Sequence, residues 1–303
     1  MTKCTPCLKR YPIINSLTVI LLLCPAFLFP GELAEGVISG IRLAAFGVIP
    51  AIFPYSVISD ALRVLITGGG VISCIFSKIF STSKNALGVF IIGTVCGFPI
   101  GVKSASDLYL GGVIKKEEAE HLIGFCCNPG LAFVISGVGV GILGSFRVGV
   151  LLYISVVLSA LLCGFVFKPK RDICDNTDII PGQKFDFVAS VKSAGFTSIT
   201  ISSYIIFFSA VLGLIKHIFK NALFTLGFAA ILEVSSGVKY TASGGILPSE
   251  FILPTVAFIL GFSGLSVHLQ ARSLAPREIC FKRFYLMKIL QGVISFALVF
   301  FLQ

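Results

Sequence analysis

Long runs of apolar residues, separated by short polar segments, dominate the pattern of this chain. Each run holds about 17 residues or more, enough for an α-helix to cross the hydrocarbon core of a bilayer, and none alternates as a barrel strand would. The pattern predicts nine helical segments that enter a membrane: Ile13–Phe29, Val37–Ile66, Asn85–Gly101, His121–Leu143, Phe146–Phe167, Phe187–Ile215, Asn221–Gly237, Phe251–Ala271 and Phe284–Leu302.

Composition and charge agree with a membrane protein. Hydrophobic residues make up 56% of the 303 residues, the mean hydropathy is +0.99, and only 13% of the residues are charged. That is about half the charged share of a soluble domain. The net charge of +10 comes mainly from Lys and Arg between the runs, where such residues set membrane orientation. The predicted partner is therefore the lipid bilayer, and nucleic acid is excluded.

The basic loops predict a topology. If all nine runs crossed with Lys9 and Arg10 in the cytoplasm, the basic segment Lys168–Arg171 would lie outside, against the rule for short basic loops. Treating the short runs Asn85–Gly101 and Asn221–Gly237 as re-entrant segments returns most basic loops to the cytoplasm. We therefore predict about seven crossings and two re-entrant helical segments, with a cytoplasmic N-terminus and a first helix that is retained.

Three blocks of the first half recur in the second half in the same order. The pairs are NALGVFIIGTVCGFPIGVK (85–103) with NALFTLGFAAILEVSSGVK (221–239) at a shift of 136, 41–62 with 191–212 at a shift of 150, and 129–136 with 263–270 at a shift of 134. Each predicted repeat holds three crossings, an odd number, so the second repeat should be inverted relative to the first. Such inverted repeats with broken helices are a plan of membrane transporters.

The predicted fold is therefore an all-α polytopic membrane protein, an inverted-repeat, transporter-like bundle. Its predicted parts are an N-terminal cytoplasmic end with the first helix (1–36), a first repeat (37–167), a cytoplasmic linker (168–186) and a second, inverted repeat (187–303).

Helix-breaking residues and charges coincide where the first re-entrant segment ends. Gly97, Pro99 and Gly101 end the segment and free backbone groups that can face a ligand. Lys103 and Asp107 follow, four residues apart on one helical face. They are either part of a binding site or an ordinary solvated ion pair at a membrane surface.

The fourth run contains a second break. Asn128 precedes Pro129, which disfavours helical backbone angles at Asn128, and Gly130 permits further unwinding. The pattern predicts either a site with exposed carbonyls and the Asn128 amide, or a tolerated proline kink.

The second re-entrant segment carries a carboxylate. Glu233 lies beside Ser235 and Ser236, and a carboxylate at membrane depth costs at least about 2.5 kcal/mol. It is therefore either functional or neutralised by a basic residue. Ser263 and Gln270 in the eighth run complete the predicted solute-binding set.

No catalytic signature is present in the sequence, which has no nucleophile elbow, phosphate-binding loop or zinc-binding spacing. The ten cysteines are scattered, mostly through apolar runs, and the Cys4–Cys7 pair has no second pair to complete a metal site. We predict a protein that is not an enzyme and has no cofactor and no metal.

One long segment resembles a known family. GFPIGVKSASDLYLGGVIKKEEAEHLIGFCCNPGLAFVISGVGVGILG (97–144) is similar to the YlbJ family of sporulation integral membrane proteins. It carries the Gly-aromatic-Pro-x-Gly-x-Lys motif, then Lys-x-Glu-Glu-Ala, then Phe-Cys-x-Asn. GFSGLSVHLQ (261–270) fits the same family, and the length and apolar profile agree along nearly the whole chain. The family in turn is similar to the nucleoside-recognition or gate-domain group.

The resemblance implies a protein of the bacterial inner membrane or forespore membrane that is needed for spore cortex formation. The matched motif positions are Gly97, Pro99, Gly101, Lys103 and Asn128 in the first half, and Gly261, Ser263, Gly264 and Gln270 in the second.

Together, the repeat and the resemblance favour a transporter or gated pore for a small polar solute. A non-transporting scaffold for cortex assembly is the alternative. The expected protein partners are a second copy of the chain or other sporulation membrane proteins.

Overall fold

A computed structural model describes residues 26–66, 70–169, 185–243 and 245–303. Most of the predicted first span Ile13–Phe29, the Cys4–Cys7 pair and most of the predicted linker lie outside these residues.

The described chain is built from helices. The first half contains α1 (Pro30–Leu43), a π-helical turn (Ala44–Val48), α2 (Ile49–Ile66), α3 (Val71–Phe80), α4 (Ala86–Val95), α5 (Ile100–Leu110), α6 (Lys116–Cys126), a π-helix (Phe133–Ile142) and α7 (Phe146–Val166). The second half contains α8 (Phe187–Ile218), α9 (Ala222–Leu232), α10 (Val234–Ala242), α11 (Ser249–Phe262), α12 (Gly264–Leu274) and α13 (Lys282–Leu302).

Four segments of the described chain are long and apolar enough to cross a membrane: α7, α8, the α11–α12 pair and α13. A fifth is the bent pair Pro30–Val48 and Ile52–Leu62, whose two parts meet at 43°. The predicted run Val37–Ile66 is thus a bent segment rather than one straight helix. These spans confirm an all-α, multi-pass membrane protein.

The two predicted re-entrant segments contain short helices. α4 has 10 residues and α9 has 11, so each spans only about 15–17 Å, roughly half of the hydrocarbon core. Each ends at a break and is followed by a second short helix, α5 or α10. Neither α4 nor α9 can cross a bilayer alone, which agrees with the re-entrant interpretation.

The two halves follow the same order of elements. A short helix, a break and a second short helix are followed by a broken helix and then by a long helix, α7 or α13. The bounds of α7 and α13, Phe146–Val166 and Lys282–Leu302, coincide when the chain is shifted by the 136 residues of the sequence repeat.

The main apolar core joins these two halves. Its buried side chains come from α3 to α7 and from α9 to α13, and they include Phe125, Leu152, Leu260 and Met287. α1, α2 and α8 contribute none of the described members of this cluster and form a separate layer. Within that layer α1 lies so close to α8 that a Cβ on Gly36 would be 2.8 Å from the Cα of Ala210.

Candidate functional site

A cavity of about 60 Å³ lies between the layer of α1, α2 and α8 and the two halves of the core. This volume exceeds the roughly 10–15 Å³ that one water molecule needs. The core side of the wall holds Gly97, Gly130, Glu233, Ser235 and Gln270 among apolar neighbours. The layer side supplies Gly47, Val48, Ile52, Tyr55, Ile201 and Ile205. The breaks after α4 and α9 therefore meet at one cavity, as the repeat predicts.

Glu233 forms the break between α9 and α10. Its backbone is extended (φ −146°, ψ 125°), which ends α9, and its carboxylate caps α10. Oε1 accepts a hydrogen bond from the amide of Ser235 (3.0 Å) and Oε2 one from the amide of Ser236 (2.6 Å). A carboxylate is well suited to this position because it meets the positive end of the helix dipole.

The Glu233 side chain is only 3% exposed, yet no Lys, Arg or His of the described chain lies within ion-pair distance of it. Neither Lys103, which pairs with Asp60, nor Lys239 forms an ion pair with it. The amides of Ser235 and Ser236 at the start of α10 hold this carboxylate at the wall of the cavity. The carboxylate is available to a solute there, since it forms no salt bridge with any of the described residues.

Gln270 brings an unpartnered acceptor to the same wall. The residue is 2% exposed, and its Nε2 donates to the Ser266 hydroxyl (3.1 Å). Its Oε1 has no hydrogen-bond partner among the described residues. A buried, unsatisfied oxygen costs about 1–3 kcal/mol, so a ligand or water that donates a hydrogen bond there recovers this energy.

The first break is formed by glycine for a steric reason. Gly97 has φ +90°, which a side chain disfavours, and a Cβ there would lie 2.6 Å from the amide nitrogen of Gly130. The break after α4 therefore packs backbone to backbone against the break after α6. Neither glycine leaves room for a side chain, and both line the cavity.

A wider groove adjoins the cavity. It has a volume of about 780 Å³ and is lined by polar and charged residues of α1 and α10, which are Glu35, Ser39, Arg42, Ser235, Ser236 and Lys239. Gly47 and Ser235 belong to both the groove and the cavity. The groove is therefore the polar approach to the cavity from one side.

Of the residues predicted to bind a solute, Gly97, Glu233, Ser235 and Gln270 line the cavity, and Ser236 lines the groove. The others lie elsewhere. Pro99 precedes α5, and Gly101 packs against Gly93 and the carbonyl of Cys126. Ser263 is buried and donates to the carbonyl of Leu260 (3.2 Å), with φ +71° at the break between α11 and α12. Asp107 lies on α5, away from the cavity wall.

Lys103 forms an ion pair that the sequence did not predict. Its Nζ lies 3.5 Å from Oδ1 of Asp60 on α2, and both side chains are largely shielded. The pair ties the first re-entrant segment to the outer layer, in addition to the small cluster of Ile92, Cys96 and Ile100 with Tyr55 and Leu62.

Asn128 does not line the cavity, and its side chain belongs to a hydrogen-bond network in the core. It is fully buried, donates to the carbonyl of Phe125 (2.8 Å), and accepts a hydrogen bond from Gln291 (2.8 Å). The break after Cys126 that its sequence context predicts is present, since α6 ends there and the π-helix starts only at Phe133.

Lys288 and Gln291 are two functional candidates that the sequence reasoning missed. Both are fully buried in α13, and Lys288 donates to Gln291 Oε1 (2.7 Å) and to the carbonyl of Cys127. The sequence contains a signal that could have found them. A lysine and a glutamine three residues apart inside an apolar run cost free energy in a membrane unless their side chains face protein.

Fold and site together define a multi-pass helical membrane protein with two broken short helices at one internal cavity. The chain is 25% identical to the sporulation integral membrane protein YlbJ of Bacillus subtilis (strain 168), over 81% of this chain and 71% of the relative. This similarity supports the predicted resemblance to the YlbJ family of sporulation integral membrane proteins. No protein-family model matches the chain, and no solved structure matches it.

Proposed function

We propose that this sporulation membrane protein is a transporter or gated pore that moves a small polar solute across the inner or forespore membrane, and that spore cortex formation needs it. The observation that carries the proposal is the shared cavity of the two breaks. It presents the Glu233 carboxylate and the unpartnered Gln270 oxygen, and the polar groove leads to it. Non-helical backbone at membrane depth is tolerated where it lines such a cavity.

The repeat supports the same proposal. The matched order of elements in the two halves supports a structural repeat, and three crossings in each half would give the two repeats opposite orientation, with seven crossings and two re-entrant segments in all. In that arrangement the residues that bind the solute are Gly97, Glu233, Ser235 and Gln270, while Ser236 faces the approach. The gate-domain group is the wider class that this plan fits.

A non-enzymatic role belongs to this proposal. A helical bundle of the YlbJ family is consistent with it, and the cavity presents hydrogen-bond acceptors and apolar surface for binding a solute.

The direct test is solute uptake by proteoliposomes. Purified protein is reconstituted, exposed to a mixture of small metabolites, and the vesicle contents are measured by mass spectrometry. The control is Glu233→Gln protein at equal density in the vesicles. Enrichment of at least one polar solute by the wild type and not by the variant is expected. Equal contents in both preparations would refute transport by this cavity.

A scaffold for cortex assembly is the second candidate, and one observation favours it. The cavity is small, about 60 Å³, and buried polar contacts such as Ser159 Oγ to Ser295 Oγ (2.7 Å) join the two halves, as in helix bundles held by polar residues. If the scaffold is correct, filling the cavity by Gly47→Leu leaves sporulation intact, whereas a transporter loses activity.

A further inference from the structure

A lysine without a carboxylate partner lies inside the core. Lys288 is fully buried in α13, a span apolar enough to cross a membrane. No Asp or Glu of the described chain lies within ion-pair distance of its Nζ. Its two partners are neutral oxygens, the carbonyl of Cys127 and Oε1 of Gln291. A positive charge on this amine would therefore be stabilised by dipoles instead of by a counter-ion.

The dipoles belong to the end of α6. The last carbonyls of a helix have no intrahelical partners, and together they carry a partial negative charge. α6 ends at Cys126, and Cys127 leaves the helix with φ −87° and ψ 82°. The carbonyl of Phe125 accepts from Asn128, the carbonyl of Cys126 faces Gly93 and Gly101, and the carbonyl of Cys127 accepts from Lys288.

Gln291 connects this lysine to the rest of the break. Its Oε1 accepts from Lys288, and its Nε2 donates to Asn128 Oδ1 (2.8 Å) and to the carbonyl of Val156 on α7 (3.2 Å). The amide of Gln291 is thereby fixed in one orientation. Lys288 and Gln291 thus contact the unwound residues between α6 and the π-helix from one side.

In membrane transporters, freed carbonyls and the C-terminal ends of broken helices bind monovalent cations. We propose that Lys288 is a positioning residue of the cavity, whose ammonium group is a built-in cation at the unwound end of α6. It takes the place that a bound monovalent cation would otherwise fill among the oxygens of Cys127 and Gln291. The break that it holds continues to Gly130, which packs on Gly97 at the cavity wall. This inference does not depend on transport, because it concerns the stability of the break.

The test is the melting temperature of detergent-purified protein in choline chloride and, at equal ionic strength, in NaCl, LiCl and methylammonium chloride. The wild type is expected to melt at the same temperature in all four salts. Lys288→Met removes the charge and keeps the length of the side chain. We expect it to melt about 5 °C or more below the wild type in choline chloride, and at least half of that loss to be recovered in one of the other salts.

Lys282→Met is the matched control, because Lys282 is an exposed lysine at the start of the same helix. It should melt as the wild type does in every salt. If Lys288→Met melts like the wild type in choline chloride, the built-in cation is refuted. A loss that is equal in all four salts also refutes it, because the lysine would then serve only to fill space.

A second comparison decides the matter if Lys288→Met yields no purified protein. Lys288→Arg keeps the positive charge at greater bulk, so its abundance in membranes should exceed that of Lys288→Met several-fold. Equal abundance of the two variants would overturn the proposal.

Discussion

Ser159 and Ser295 lie in contact, with their hydroxyl oxygens 2.7 Å apart, although 136 residues separate them in the chain. The separation equals the shift that superposes the first repeat block on the second. Two equivalent residues can meet only where the two halves face each other across a common axis. α7 and α13 therefore pack against each other at this point, and both serines are buried there.

A disulfide at this contact is the first prediction. Ser159→Cys with Ser295→Cys, in a protein whose native cysteines are replaced, should form a disulfide when copper phenanthroline is added as the oxidant, because the side-chain atoms are already within bonding reach. With a protease site inserted in the linker 168–186, cleavage should release two fragments only after reduction. Ser155→Cys with Ser295→Cys is the control. Separation of the fragments without a reductant would contradict the contact.

The close packing of the first re-entrant segment gives the second prediction. A Cβ on Gly101 would lie 2.9 Å from the Cα of Gly93 and would overlap the carbonyl oxygen of Cys126. Gly101→Ala should therefore lower the free energy of unfolding by about 1–3 kcal/mol. Gly227→Ala, on α9 where nothing lies within 4 Å of the added Cβ, should raise it by up to about 1 kcal/mol. Melting of the purified variants measures both, and equal shifts would contradict the packing.

The third prediction concerns the charge of Glu233. Glu233→Gln keeps the size of the side chain but offers one acceptor oxygen to the two amides of Ser235 and Ser236. The loss of cap strength, about 1 kcal/mol, should leave the protein folded. Membrane abundance is expected to be near normal, while the variant fails to restore cortex formation in a strain that lacks the gene.

Two matched variants sharpen this test. Glu233→Asp keeps the charge and is a good helix cap, so it should retain part of the function. Glu35→Gln removes a carboxylate from the groove and not from the cavity, and it should have a smaller effect. Normal spores from Glu233→Gln at normal abundance would show that the charge is dispensable.

Cys96 provides the fourth prediction because its thiol lies at the cavity wall. With Cys96 as the only cysteine, a small membrane-impermeant thiol reagent should modify it from the side of the groove and not from the opposite side. Lys103→Ala removes the ion pair to Asp60 and should allow modification from both sides. Lys78→Ala, an exposed lysine of α3, is the control and should change nothing.

Topology is the fifth prediction. Single cysteines at Ala34 and at Asn176, which lies outside the described residues, should be labelled from opposite sides of the membrane, with Asn176 in the cytoplasm. The reason is the distribution of basic loops. Labelling of both positions from the same side would be incompatible with seven crossings and inverted repeats.

The breaks could be predicted from the sequence because their causes are local. A glycine with positive φ and a residue before proline each disturb a helix within a few residues, and Gly97 and Asn128–Pro129 stand where helices end. The break at Glu233 was indicated by its alignment with Gly97 in the repeat. The repeat then placed two of these breaks opposite each other. The all-helical membrane fold followed from the length and continuity of the apolar runs.

The contacts that complete the site depend on packing between distant segments. The Lys103–Asp60 pair joins residues 43 positions apart, and Asn128 meets Gln291 across 163 positions. A sequence pattern along one helix cannot indicate which distant polar group a side chain meets. For this reason the sequence analysis predicts Asn128 at the binding site. In the structure the Asn128 side chain bonds to Gln291 instead, and Gln291 bonds to Lys288.

The boundary between the outer layer and the core has a mechanical consequence. α1, α2 and α8 share none of their described side chains with the main apolar cluster, and the cavity lies on that boundary. Two specific contacts join the outer layer to the core in addition to the cavity walls and the helix contacts. They are the small cluster around Ile92 and the Lys103–Asp60 ion pair. A boundary between two separately packed parts thus passes through the cavity. If the protein is the proposed transporter, we expect the cavity to change the side on which it opens by a small displacement along this boundary, with the apolar core left intact.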